Sequence, residues 1–291
     1  MEAYAALLSP AELAAVRSGA DVAADVRTER LLSRALARVT LARYARTPPA
    51  VRPARAFHMR CACRALTASF PPQALRFGRN AHGKPWLAAS DAGSALRFSI
   101  AHAPGALLCA VASGGELGCD VEAAARGSGA SAERLAKRYY APEERAALDA
   151  LPPGEPRRRR FMELWTLKEA YVKALGRGIA AAPLSSFALR LAPDAIDAVL
   201  PMRVRLAHGV AGPLLAAPRG DGGDEAAQAG PASWRFALLR LGGAGDDGHL
   251  AAVCASGGAA DAPLALRCWR TVPLSGASDE EQAPTLLAFG G

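Results

Sequence analysis

The stretch FMELWTLKEAYVKALGRGI, Phe161 to Ile179, constrains this chain more than any other. Leu164, Leu167, Tyr171, Ala174 and Leu175 recur at three- and four-residue steps, the period of a helix with one face on a core. Gly176 and Gly178 close it, because glycine readily takes the left-handed conformation just past a helix end. Trp165, Glu169 and Lys173 sit four apart on a neighbouring face, stacking a ring, a carboxylate and an ammonium turn above turn. Alone, that acid and base read as a surface ion pair worth roughly 0.2–0.5 kcal/mol. Other parts of the chain change this reading.

The chain's 291 residues suffice for one large domain or two modest ones. The composition, 51% apolar and 21% charged, suits a soluble globular protein. A net charge of +8 favours acidic partners, whether phosphates, an acidic protein, nucleic acid or an anionic membrane surface. The six cysteines form no CxxC pair and have no histidine spaced for zinc, and most lie in apolar runs, as reduced intracellular thiols do. No apolar run reaches membrane-spanning length, and MEAYAALLSPAEL resembles neither a secretory signal nor an Arg-rich transit peptide. The expectation is a soluble protein of the cytoplasm by default, with plastid or mitochondrion left open.

Along the chain, Ser9, Pro10 and Glu12 mark a helix start. A longer helix is expected over Ala24 to Tyr44, apolar at Leu31, Ala35, Leu36 and Val39. Arg27, Arg30, Arg34, Arg38 and Arg43 line its other side as a solvated or anion-binding face. Residues 51–70 lack a period and read as an insertion or loop. ALRFSIAH, ALLCAVA and ELGCDVE read as strands, followed by helices over Ala132 to Tyr140 and APEERAALDAL. LPPGEPRRRR reads as a polar loop abutting the long helix. SSFALRL, MRVRLA, WRFALLRL, HLAAVCA and ALRCWRTVPL are further strands, and residues 275–291 read as a disordered tail. The expected organisation is an N-terminal lobe over residues 1–122 and a C-terminal lobe over 123–274. Each half carries helices first and a mainly antiparallel sheet after, so the fold class is α+β with two pseudo-symmetric lobes.

Asp120 and Glu122, two apart in an extended run, leave the same face of a strand. Adjacent carboxylates repel unless a cation neutralises them, and an oxygen-lined Mg²⁺ site is one solution. Two solvated acids at an exposed strand end are the plainer one. Gly83, Lys84 and Pro85 offer a turn suited to a phosphate, or an ordinary surface turn. His102, before a Pro-Gly turn, could donate to a phosphate or be purely structural. Walker A, GxSxG and HExxH are missing, and the one GxGxxG, Gly243 to Gly248, falls in the Gly/Asp-rich turn GGAGDDG between two strand-like runs and opens no helix, which removes the common nucleotide, hydrolase and zinc readings.

Taken in order, GKP, FSIAH, GCDVE, RYYAPEE and FMELWTLKEAYVKALGRG resemble the 4′-phosphopantetheinyl transferases of the surfactin-synthetase-activating type, nearest the plant and cyanobacterial branch. The resemblance covers nearly the whole chain outside Val51 to Phe70 and the tail. It implies transfer of the 4′-phosphopantetheine group of coenzyme A to a serine of an apo acyl or peptidyl carrier protein, with coenzyme A in a cleft between the lobes. By this likeness Asp120, Glu122 and Glu169 hold Mg²⁺, and Lys173 neutralises the pyrophosphate. Glu144, Glu169 or a metal-bound water deprotonates the serine. Arg79, Gly83, Lys84 and Pro85 bind the adenine and 3′-phosphate end, with His102 on the 3′-phosphate and Arg27 or Arg30 adding to the site. Ala101 stands where the family usually has serine. A monomer is implied. The alternative is a non-catalytic coenzyme A or nucleotide-binding module. Nucleic-acid binding is disfavoured, since no stacking aromatics interleave the arginines.

Overall fold

In a computed structural model the chain opens with three helices, α1 (Glu2–Ala5), α2 (Pro10–Arg17) and α3 (Ala24–Ala45). The structure describes residues 2–18, 23–45, 71–88, 96–126, 129–192, 202–208, 234–242, 248–257, 264–271, 280–282 and 285–290. The expected 51–70 insertion lies outside them.

The predicted cap forms: Glu12 N–H donates to Ser9 Oγ, and Ser9 N–H donates back to Glu12. Arg38 departs from the solvated arginine face. It is buried, pairs with Glu12 at 2.6 Å, and donates to the Leu75 carbonyl at 2.9 Å. A helix spacing cannot reveal this, because the acceptors come from other segments.

Two hairpins follow, β1 (Phe77–Arg79) with β2 (Pro85–Leu87), and β3 (Leu96–Ala103) with β4 (Ala106–Ser113). Next come β5 (Leu117–Ala123) and the helices α4 (Gly129–Tyr139), α5 (Pro142–Asp149), α6 (Glu155–Leu175) and α7 (Gly178–Ala181). The chain ends in β6 (Ala188–Ala192), β7 (Met202–His208), β8 (Trp234–Leu241), β9 (His249–Ser256), β10 (Cys268–Arg270), β11 (Glu280–Gln282) and β12 (Thr285–Gly290). The fold is α+β, as expected.

One six-stranded sheet, in the order β5-β9-β8-β12-β7-β6, forms its centre. All its pairings are antiparallel except β12 with β7. Two expectations change here. Strand β5, assigned to the first half, hydrogen-bonds β9 of the second, from Leu117 opposite Ala255 to Ala123 opposite His249. The tail read as disordered supplies β12, which fills the gap between β8 and β7. Its segment TLLAFG is short and apolar, and a strand with two partners satisfies its backbone groups on both sides.

Strands β8 and β9 are covered on both faces. Phe236, Leu238, Leu250, Ala252 and Cys254 meet α6, whose Leu164, Leu167, Ala170, Tyr171 and Ala174 are buried against them. The alternate residues Ala237, Leu239, Ala251, Val253 and Ala255 pack against Ala101, Ala103, Ala110 and Ala112 of the β3–β4 hairpin. With two apolar faces, β8 and β9 read as continuous apolar runs rather than alternating ones.

Candidate functional site

Strand β5 runs under α6 with its alternation split. Leu117, Cys119 and Val121 enter the core shared with β3–β4, so Gly118, Asp120 and Glu122 face α6. Gly118 makes the close approach possible. A Cβ there would lie 2.1 Å from the Ala170 carbonyl oxygen and 2.3 Å from the Ala174 nitrogen. Two strand residues span roughly 6.6 Å and four helix residues roughly 6 Å, so successive strand positions meet successive helix turns. Thus Gly118 meets Ala170 and Ala174, Asp120 pairs with Lys173 at 2.6 Å, and Glu122 accepts from the Trp165 indole N–H at 3.1 Å. Arg126 holds Glu122 from the other side.

Glu169, one turn before Lys173, shares this electrostatic field. Burial pushes its carboxyl up to about 7, and Asp120 and Glu122 add to that, against the pull of Lys173 and Arg126. Burial likewise pushes Asp120 up to about 6, with Glu122 adding and Lys173 opposing. Burial also works against the Lys173 ammonium, yet its partner Asp120 holds it above the ordinary lysine value. Asp120, Glu122, Glu169 and Lys173 therefore act on one another electrostatically where β5 meets α6. Among the described residues no group of three or more His, Cys, Asp or Glu is placed so that it could hold a metal ion. The donor set still suits a hard divalent cation. Asp120 Oδ2 is buried without a hydrogen-bond partner, while Oδ1 of the same carboxylate pairs with Lys173 and Glu122 pairs with Arg126.

Glu144 is not part of this cluster. Its side chain is fully buried and accepts from Lys168 Nζ at 2.7 and 2.8 Å, from Ala141 N–H at 2.9 Å and from Leu189 N–H at 2.9 Å. Lys168 also donates to the Phe187 carbonyl. Burial pulls its ammonium down to about 8 while Glu144 opposes that. Glu144 thus caps α5 and ties α5, α6 and β6 together. With no solvent access it cannot exchange a proton with a substrate, which corrects the sequence expectation.

The expected coenzyme A residues divide. Arg79, Arg30 and the unforeseen Arg34 lie close together, and Arg34 is held below the ordinary arginine value by burial and by the other two charges, against Glu12. Membership of the arginine face of α3 was the only sequence signal for Arg34. Arg27 lies one turn before Arg30 on the same helix and is half-buried. His102 is exposed and its Nδ1 lies 2.7 Å from Glu29, which brings the end of β3 beside α3.

Gly83 adopts a left-handed turn (φ 86°) just before Pro85, and its carbonyl accepts from Arg79. Lys84 differs from expectation. Its ammonium donates to Glu116 and to the Ala174 carbonyl, each at 2.7 Å, while Asn80 donates to the Gly176 carbonyl. Together they cap the C-terminal end of α6. Ala101 is buried in the core beneath the sheet, so only its backbone could face a ligand.

The arginine run also changes meaning, because α6 starts at Glu155 and contains it. Arg159 and Arg160 each lie 3.0 Å from the buried Glu163, Arg158 donates to the Ala124 carbonyl at 2.7 Å, and Arg157 to the Leu151 carbonyl at 2.8 Å. It is a knit helix start, not a free basic patch.

Comparison with known proteins agrees with the segment that builds this site. Residues 116–203 match the 4′-phosphopantetheinyl transferase superfamily. The chain is 39% identical over 109 residues to the 4′-phosphopantetheinyl transferase HetI of Nostoc sp., covering 38% of this chain and 45% of that protein. It is 33% identical over 123 residues to the 4′-phosphopantetheinyl transferase of Bacillus subtilis, covering 42% and 50%. For the 4′-phosphopantetheinyl transferase pptA of Paxillus involutus the identity is 32% over 153 residues, covering 42% and 56%. The chain therefore spans about half the length of the curated relatives it matches. Among solved structures, the holo-[acyl-carrier-protein] synthase (AcpS) of Thermotoga maritima overlays with a TM-score of 0.30 at 15% identity, over 51% of this chain and 66% of that one. That overlap is too loose to carry an argument.

Proposed function

We propose that this chain transfers the 4′-phosphopantetheine arm of coenzyme A to a serine of an apo acyl or peptidyl carrier protein, releasing adenosine 3′,5′-bisphosphate. One observation carries the reading: Asp120, Glu122, Glu169 and Lys173 converge at a single strand–helix contact, within the stretch that matches the superfamily. Asp120, Glu122 and Glu169 would hold a magnesium ion. Bound there, it would neutralise the diphosphate and stabilise charge developing on its oxygens. Lys173, whose ammonium lies beside Asp120, would contact a diphosphate oxygen. Glu169 is the protein carboxylate left to take the serine proton, since Glu144 is sealed in the core. The 3′-phosphate end of coenzyme A would lie toward Arg30, Arg34, Arg79 and His102, in a cleft between two pseudo-symmetric halves. The net charge of +8 would steer an acidic carrier toward the site. On this reading the enzyme acts as a monomer in the cytoplasm.

The test is mass spectrometry of an apo carrier panel incubated with the protein, coenzyme A and Mg²⁺. A gain of one phosphopantetheine arm is expected, abolished by Asp120→Ala in a variant whose melt stays cooperative. Coenzyme A binding without transfer to any carrier would replace the enzyme with a binding module. Transfer by Asp120→Ala at saturating Mg²⁺ would remove that residue from the site.

A further inference from the structure

The end of β3 meets α3 through an ion pair, His102 Nδ1 with Glu29 Oε1 at 2.7 Å, and both side chains are open to solvent. Glu29 is an acid set among cations. Arg30 follows it in the chain, and Arg34 lies one turn beyond Arg30. Burial and the charges of Arg79 and Arg30 work against the Arg34 guanidinium. Glu12 opposes them, but its carboxylate is already paired with Arg38. Such a group of cations stabilises a further anion.

The two partners of the pair are held differently. His102 stands two residues before Pro104, whose carbonyl oxygen lies 2.9 Å from His249 Nε2 on β9. Gly105 turns left-handed (φ 79°) beside the same ring, where a Cβ would lie 3.7 Å from His249 Cε1. His249 is itself paired in the central sheet, opposite Ala123 and Leu241. The turn after His102 is therefore fastened to the sheet. Glu29 sits near the start of α3 on a side chain with three rotatable bonds, and an exposed ion pair is weak enough to exchange.

We propose that Glu29 is a resident counter-anion that sets how strongly the site prefers a 3′-phosphate. Its carboxylate holds His102 until coenzyme A arrives; the phosphate then takes the same imidazole N–H, and Glu29 swings into solvent. The inference rests on the transfer reading, which lays the 3′-phosphate end toward His102, and adds a residue outside the set named there. A phosphate monoester brings more charge and more acceptor oxygens than one carboxylate, so it displaces Glu29. A ligand lacking that phosphate leaves the pair intact. The exchange lowers affinity for coenzyme A and for adenosine 3′,5′-bisphosphate alike, so Glu29 favours release of the product.

The test is calorimetric titration of the full-length protein with coenzyme A and with 3′-dephospho-coenzyme A, using wild type, Glu29→Gln and Glu29→Ala. Both variants should bind coenzyme A about threefold more tightly, with 3′-dephospho-coenzyme A unchanged. Melting curves that coincide with wild type show that the variants fold. Coenzyme A affinity that is unchanged or weaker in the folded variants overturns the proposal; a weaker one makes Glu29 an orienting partner of His102. Equal tightening of both ligands overturns it too, because Glu29 then acts only through net charge. Wild-type protein that binds neither ligand overturns the transfer reading, and the proposal with it, so the two failures are told apart.

Discussion

At the scale of single residues, the site is a group of acids held under strain by burial. Asp120 and Glu169 have folded pKa values of about 6 and about 7, above their unfolded values. A raised carboxyl favours the fold while protonated, so this contribution is full below the unfolded pKa, near 4, and is lost as pH rises through 6 to 7. Without metal, the melting temperature should therefore fall between pH 5 and pH 8. Glu169→Gln should flatten that fall and raise stability at pH 8 by on the order of 1–3 kcal/mol while stopping transfer. A melting profile unchanged by the substitution would contradict this. Protons compete with a cation for the same oxygens, so Mg²⁺ should raise the melting temperature more at pH 8 than at pH 5.5. A thermal shift independent of pH would remove these carboxylates from the metal site.

At the scale of elements, the contact between β5 and α6 sets the distances within the site. Gly118 has backbone of Ala170 and Ala174 directly against it, and backbone cannot swing aside as a side chain can. Gly118→Ala should cost about 3 kcal/mol or more by forcing the helix off the strand. It should also lower transfer, because Lys173 and Glu169 move with the helix; denaturant melts and the carrier assay together check both. The buried Glu144–Lys168 pair is the other joint. Lys168→Met should cost about 3–5 kcal/mol, since it strands a charge in the core. Adding Glu144→Gln should recover part of that loss, and a double variant no more stable than the single one would refute the account.

At the scale of the whole molecule, the central sheet draws on both halves of the sequence and on its last residues. β5 comes from the first half, β9 and β8 from the second, and β12 from residues 285–290. Removal of residues 275–291 should leave β7 and β8 each without a partner edge, giving a broad, low-temperature melt and aggregation. Unaltered melting and turnover after that truncation would show that β12 contributes nothing to the fold.

The long helix, its glycine stop, the Ser9 cap and the pairing of Asp120 with Glu122 on one strand face were legible in the chain because each rests on contacts within a few residues. Helix and strand periods determine which side chains share a face, and they did so correctly for α6 and β5 but not for Arg38 of α3. Tertiary structure alone decided which face meets which. It turned Arg38 inward onto Glu12, sealed Glu144 against Lys168, bound Lys84 to the end of α6 and drew the tail into the sheet. In each case the partner is distant in sequence, and burial makes an unpaired charge or backbone group so costly that the packed fold, not the local pattern, fixes its place.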